Sequence, residues 1–263
     1  MQDGMYMASE RRANGAPRGV SQFASEVVAR LVGRDTVGGA VMRESLVASL
    51  LEAVRSTDVG AFDAMKPELK RARVSAATLA DIYIPEVARR LGQAWQDDVV
   101  SFADVTMGVA RLQAILREIG TTWVADDAST ADVATMLLIL PAGEQHTLGA
   151  LVIAGWLRRK GISVCLRIAP STSDLQSLLA LRKFDGAMIS IACEDKLEVC
   201  AKLVKTLKEA TDNKMRIAVG GAVMERVGDV VAQTGATIVT NDLSAAVVAL
   251  GFNRTKLASA GAV

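Results

Sequence analysis

The sequence predicts an α/β chain, with an N-terminal antiparallel helical bundle followed by a doubly wound parallel sheet of five strands. Three observations carry that prediction. From Ser21 to Trp123 apolar residues recur at spacings of three and four, the mark of helix faces. From Asp132 onward the period changes, and five apolar runs alternate with helical patterns, as parallel strands and their crossover helices do. Between the two lies Ala125–Ala131, a small polar stretch that reads as a linker. The expected organisation is a mobile leader over 1–20, a bundle over 21–124 and a sheet domain over 132–252.

Met1 to Val20 is rich in Gly, Pro, Arg, Asn and Ser and carries little periodicity. Ser21 is a candidate cap for a first helix through Leu31, with Phe23, Val27, Val28 and Leu31 on its apolar face. A second helix is expected from about Ala40 to Arg55, with Leu46, Leu50, Leu51 and Val54 inward. Asp58-Val59-Gly60 turns the chain into a third helix ending near Ala72, where Pro67 requires a kink or a break. Ser75 opens a long helix to Trp95 that Pro85 should bend. Ser101 caps the last helix of the bundle, whose inward residues are Val105, Val109, Leu112, Ile115, Leu116 and Ile119. Short connections between these helices imply antiparallel packing.

In the second half the expected strands are Val133–Leu140, Ile162–Ile168, Gly186–Ile191, Met215–Val219 and Thr237–Val239. The expected helices are Thr147–Lys160, Ser173–Arg182, Glu194–Ala210, Val223–Gln233 and Ser244–Leu250. Asn253–Val263 reads as a frayed tail.

Several function classes are disfavoured by composition. A net charge of +1 leaves no electrostatic footprint for nucleic acid. No apolar run approaches the roughly 18–20 residues that cross a bilayer, and the first residues lack the apolar segment of a secretory signal. Cys165, Cys193 and Cys200 form no CxxC pair, so reduced thiols and a cytoplasmic location are expected. The paired carboxylates Asp97-Asp98 and Asp126-Asp127 read as solvated turns. No Ser-His-Asp triad can be drawn except through His146, the single histidine of the chain, and a non-enzymatic role is expected.

That histidine lies in Leu140-Pro141-Ala142-Gly143-Glu144-Gln145-His146-Thr147-Leu148-Gly149, between an apolar strand and a helix. Open α/β sheets bind ligands beyond the carboxyl ends of their strands, and this loop is at such an end. Taken alone, a histidine here is more often a capping or surface residue than a ligand, and Gly220-Gly221 is usually a plain turn.

The motifs taken together resemble a known family. Glu144-x-His146-x-x-Gly149, then Ser190-Ile191-Ala192 and then Gly220-Gly221 are similar in order and strand context to Asp-x-His-x-x-Gly, Ser-x-Leu and Gly-Gly of methionine-synthase-type, Rossmann-like cobalamin-binding domains. Tyr83–Trp95 followed by Ser101–Thr106 resembles the bundle that caps the corrin in those proteins, and the resemblance covers roughly 75–250. It implies cobalamin as cofactor, with cobalt held through His146 after the histidine displaces the cofactor's own base. Glu144, one methylene longer than the family's Asp, would hold the second imidazole nitrogen. Gly149, Gly220 and Gly221 would leave room for the nucleotide tail, and Ser190 would offer a hydroxyl to the tail or to the histidine network. Gln145, Thr147 and Thr240 complete the implied binding set, with Trp95 either a corrin contact or a core residue.

Adenosylcobalamin light sensors carry Glu-His after the tryptophan, where this chain has Val105 and Thr106. The resemblance therefore implies a hydroxo or aquo form of the cofactor rather than adenosyl. No basic recognition helix precedes the bundle, so direct sequence-specific DNA binding is not expected. Ser101–Thr106 together with Gly143–Gly149 most resemble the AerR/PpaA group of cobalamin-dependent antirepressors of photosynthesis genes. That resemblance implies a photoreceptor-like regulator whose partner is a DNA-binding repressor of the CrtJ/PpsR type. Two alternatives share the same loop: a corrinoid methyl carrier of a methyltransferase system, and a haem-binding redox or light sensor.

Overall fold

The computed structural model describes residues 42–121, 123, 133–225 and 228–252. The expected leader, the first expected helix Ser21–Leu31, the linker and the tail lie outside the described residues. The bundle begins with α1 (Glu44–Arg55) and α2 (Ala61–Arg71). Pro67 is accommodated inside α2, which is continuous across it. The helix opened by Ser75 starts as α3 (Ala76–Thr78), with the Ser75 side chain accepting from the Thr78 N–H. It widens into a π-helical turn, Leu79–Tyr83, and proceeds as α4 (Ile84–Gln96). The effect expected of Pro85 takes this form: a proline has no N–H to give to a preceding carbonyl, and the π turn lies just ahead of it. α5 (Phe102–Gly120) starts with a reciprocal capping box between Ser101 and Asp104.

The sheet consists of β1 (Thr135–Leu140), β2 (Ser163–Ile168), β3 (Gly186–Ser190), β4 (Ile217–Gly220) and β5 (Ile238–Val239). Its order is β2-β1-β3-β4-β5 and every pairing is parallel, as the alternating pattern predicts. The crossovers are α6 (Thr147–Arg159), α7 (Thr172–Leu181), α8 (Leu197–Glu209) and the short α9 (Val230–Thr234), with α10 (Leu243–Ala249) after β5. The expected helix Val223–Gln233 is not continuous: a 3₁₀ turn covers Ala222–Glu225, and α9 begins only after Gly228 and a left-handed Asp229. Those two residues interrupt helical geometry where the apolar spacing alone carries no break.

Side-chain alternation along β1 divides the sheet core. Met136, Leu138 and Leu140 face α6 and α10, whereas Leu137 and Ile139 face α7 and α8. α6 also serves the bundle, because Leu148 and Val152 belong to the same buried cluster as Leu50, Ile84, Leu91 and Leu112. The chain leaves β1 toward β2 on one side and returns to β3 on the other. The carboxyl ends of β1 and β3 therefore flank the topological switch point, where such sheets form a crevice. Among the described residues no helix is long and apolar enough to cross a membrane.

Candidate cofactor-binding site

The loop after β1 turns at Pro141, whose carbonyl accepts the Glu144 N–H at 3.1 Å. The turn sends the Glu144 side chain inward, where it is 2% exposed. His146 follows as the N-cap of α6 without capping it through its side chain. Its imidazole Nδ1 meets Glu144 Oε1, which also accepts the His146 backbone N–H at 3.0 Å. Glu144 Oε2 accepts the Ala192 N–H at 2.7 Å, from the segment just beyond β3. One buried carboxylate thus ties the β1 loop to the β3 loop and fixes the ring of His146. Burial works against the charge of Glu144, but the His146 side chain and the two backbone N–H groups outweigh it and hold the carboxyl below its usual range.

His146 lines a mainly apolar cavity of about 340 Å³ between α4, α5 and the start of α6. Its bundle wall includes Gly92, Trp95, Phe102, Val105, Thr106 and Val109, and its lower wall includes Gln145, Thr147 and Leu148. Trp95 and Phe102 form a tilted aromatic pair with ring centroids 6.0 Å apart. Gln113 reaches across from α5 and donates to Thr147 Oγ1 at 2.8 Å.

A second cavity, a narrow slot of about 30 Å³, lies at the ends of β3 and β4. Ser190, Gly220, Gly221 and Thr240 line it together with Met188 and Leu243. Side chains would close this region against backbone. A Cβ on Gly220 would stand 2.7 Å from the Thr240 carbonyl oxygen, and one on Gly221 (φ +124°) 1.9 Å from that of Ile191. Asn241 Oδ1 accepts the Gly221 N–H at 2.7 Å, which holds the β4 turn against the segment after β5.

Trp95, Gln145, His146 and Thr147 are therefore gathered around the larger cavity, and Ser190, Gly220, Gly221 and Thr240 around the slot. Glu144 lies beneath the histidine, linked to both loops. Gly149 is in the first turn of α6 and is not among the residues lining either cavity. Four contributors escape sequence reading: Phe102, Gln113, the Ala192 N–H and Asn241. The Ser101–Thr106 motif contains Phe102 and the Ser190-Ile191-Ala192 motif contains Ala192, but nothing in the sequence signals Gln113 or Asn241.

Chemically, the site offers one imidazole with a fixed ring. Among the described residues no group of three or more His, Cys, Asp or Glu could hold a metal ion. A metal bound at His146 must therefore arrive with most of its coordination already satisfied, as in a macrocycle. The apolar walls suit a flat organic ring, and the glycine-lined slot, about one water molecule in volume, would have to widen to take an appendage. On these grounds the residues around His146 fit a corrinoid ring.

No protein-family model matches the chain. It is 47% identical over 182 residues to an uncharacterized 20.5 kDa protein in the bchF-crtJ intergenic region of Rhodobacter capsulatus, covering 69% of this chain and 95% of that protein. Among solved structures, the Methanosarcina barkeri monomethylamine corrinoid protein superposes with a TM-score of 0.60 at 15% identity, covering 81% of this chain and all of the other. A cobalamin-binding protein from Desulfitobacterium hafniense gives a TM-score of 0.39 at 14% identity, over 79% of this chain and 97% of the other. The Methanosarcina likeness establishes a fold shared with a corrinoid protein, an α/β sheet with helices ahead of it.

Proposed function

The chain belongs to the family of the Rhodobacter capsulatus protein in the bchF-crtJ intergenic region, and we propose that it is a cobalamin-binding, light-responsive antirepressor. In this reading it is not an enzyme, and it acts by engaging a DNA-binding repressor of the CrtJ/PpsR type. The observation that carries the cofactor reading is His146 at the apolar cavity with its Nδ1 held by the buried Glu144 carboxylate. With Nδ1 engaged, Nε2 is the nitrogen that would ligate cobalt, and a carboxylate on the far nitrogen raises its basicity. The regulatory reading is supported by crtJ in the relative's name, which matches the repressor type implied by the sequence resemblance.

The roles of the remaining residues follow from their placement. Gly220 and Gly221 would admit the nucleotide tail to the slot, where Ser190 and Thr240 present hydroxyls. Trp95 and Phe102 would cover the upper face of the ring. Val105 and Thr106 place neither carboxylate nor imidazole there, which favours a water or hydroxide upper ligand. When bound, cobalamin supplies a cobalt–ligand bond that light can alter. The two walls of its cavity come from the bundle and the sheet, so a ligand that prefers one arrangement of those walls shifts the population toward it.

Absorption spectra of the protein with hydroxocobalamin, in the dark and after illumination, test this reading. The expected result is a base-off, histidine-ligated spectrum that His146→Ala abolishes while its circular dichroism stays native. An unchanged spectrum and affinity in that variant would remove the ligand assignment. A spectrum that develops with haem and not with cobalamin would replace the cofactor. Methyl transfer from methylcobalamin-loaded protein to a methyltransferase would replace the regulator with a carrier.

A further inference from the structure

Three helices meet where the bundle abuts the sheet, and each has one end at the cavity. α4 brings Trp95 there, α5 brings Phe102 and Gln113, and α6 starts beside His146. Their opposite ends also converge. Asp81, on the π turn ahead of α4, pairs with Arg159 in the last turn of α6, and the two side chains are 14% and 16% exposed. The Arg159 guanidinium stacks on the Trp123 ring, 4.1 Å from its centroid. Trp123 lies just beyond α5, where the chain leaves the bundle for β1. Gly155 lets that ring approach α6, since a Cβ there would fall 2.4 Å from it.

We propose that the Asp81–Arg159–Trp123 cluster is the pivot of a hinge between bundle and sheet, with the cavity above His146 as the end that opens. Trp123, the last described residue after α5, and the ion pair coincide at one end of the interface. The other end is held by the Gln113–Thr147 hydrogen bond beside the cavity and by Leu148, which packs into the edge of the bundle core. At 1.5 Å per helical residue, Trp95 lies roughly 20 Å from Asp81, so a rotation of about 10° at the pivot moves the indole by about 3.5 Å. A change of that size alters the cavity while the buried contacts near the pivot persist.

The cluster has features of a joint rather than of a fixed staple. Arg159 Nη1 is buried and makes no hydrogen bond among the described residues. Burial pushes the Asp81 carboxyl up despite the adjacent guanidinium. A π turn, a rare irregularity that is frequent at functional sites, carries the acidic partner. The pivot is inferred from the unloaded geometry alone, and only its use in reporting cofactor occupancy rests on the proposed function.

Hydrogen exchange of the whole protein, followed by mass spectrometry, tests the hinge. Gln113→Ala should raise exchange about five-fold at the cavity ends of α4 and α5, the equivalent of one net hydrogen bond. The π turn and the last turn of α6 should be unaffected by that change. Arg159→Gln should raise exchange at both ends, because the rotation then has no fixed pivot and is no longer confined to the cavity end. Hydroxocobalamin should alter exchange at the cavity ends alone. Equal rises at both ends in Gln113→Ala, or a rise confined to the π turn in Arg159→Gln, would overturn the hinge. If hydroxocobalamin leaves the absorption spectrum unchanged, the cofactor reading fails, while the comparison of the two unloaded variants still decides the hinge.

Discussion

Replacing Glu144 by Gln keeps the shape of the side chain and removes its charge, so it isolates what the carboxylate contributes. One oxygen accepts from the His146 backbone and meets its Nδ1, and the other accepts from the Ala192 N–H. An amide has a single acceptor oxygen, so its NH₂ must face either the Ala192 N–H or the His146 donors. The pocket leaves this side chain 2% exposed, and water does not relieve the mismatch. One lost charge-assisted bond and one buried donor facing a donor together cost roughly 2–4 kcal/mol. Urea unfolding of cofactor-free protein at neutral pH should show that loss as a lower midpoint with an unchanged slope.

The pH dependence adds a second readout. The carboxyl is held below the ordinary glutamate value of 4.5 in the folded protein. Its contribution is therefore complete above that value and is lost as pH falls below it, through the lowered folded value. The stability gap between wild type and Glu144→Gln should narrow as pH falls below the glutamate range. A gap under about 1 kcal/mol, or one that persists unchanged to about pH 3, would refute the account of this carboxylate as a charged tie between the two loops.

Gly221→Ala should destabilise the chain by roughly 3–5 kcal/mol, from a clash with the Ile191 backbone and a left-handed φ, again read by urea unfolding; a loss below 1 kcal/mol would mean that the β4 turn moves aside easily. Trp95→Ala should weaken hydroxocobalamin binding without altering the lower-face spectrum, as measured by absorbance titration, and no effect would return Trp95 to a packing role.

The fold was legible because its signals are local. Met136–Leu140 announces a strand buried on both faces, and Ser101 caps its helix where periodicity begins, whereas the helix expected from Ser173 is capped two residues earlier by Ser171. Pro85 was legible as a disturbance, but whether it yields a bend or a π turn depends on how the preceding turn packs. The break between Ala222–Glu225 and α9 was not legible, because apolar spacing reports which faces are buried and carries no record of a left-handed Asp229. The candidate site was legible where chemistry concentrates in rare residues: one histidine, one acid two positions earlier, one Gly-Gly. It was illegible where the contact is long-range and the residue type common. Gln113 meets Thr147 across 34 positions, Ala192 meets Glu144 across 48, and Arg159 meets Asp81 across 78.

The double allegiance of α6 has a consequence for how the molecule is made. Leu148 and Val152 complete the buried cluster of the bundle, while Ala150, Ile153, Ala154 and Leu157 complete one face of the sheet. A nascent chain that has emerged only as far as Gly120 contains every described bundle helix and still lacks two of the side chains that fill its core. Full stability must wait for synthesis of the helix that follows β1. The bundle and the sheet should accordingly melt in one cooperative transition, and a cut in the 124–132 segment should yield a helical fragment with an exposed apolar seam that associates with its other half or aggregates.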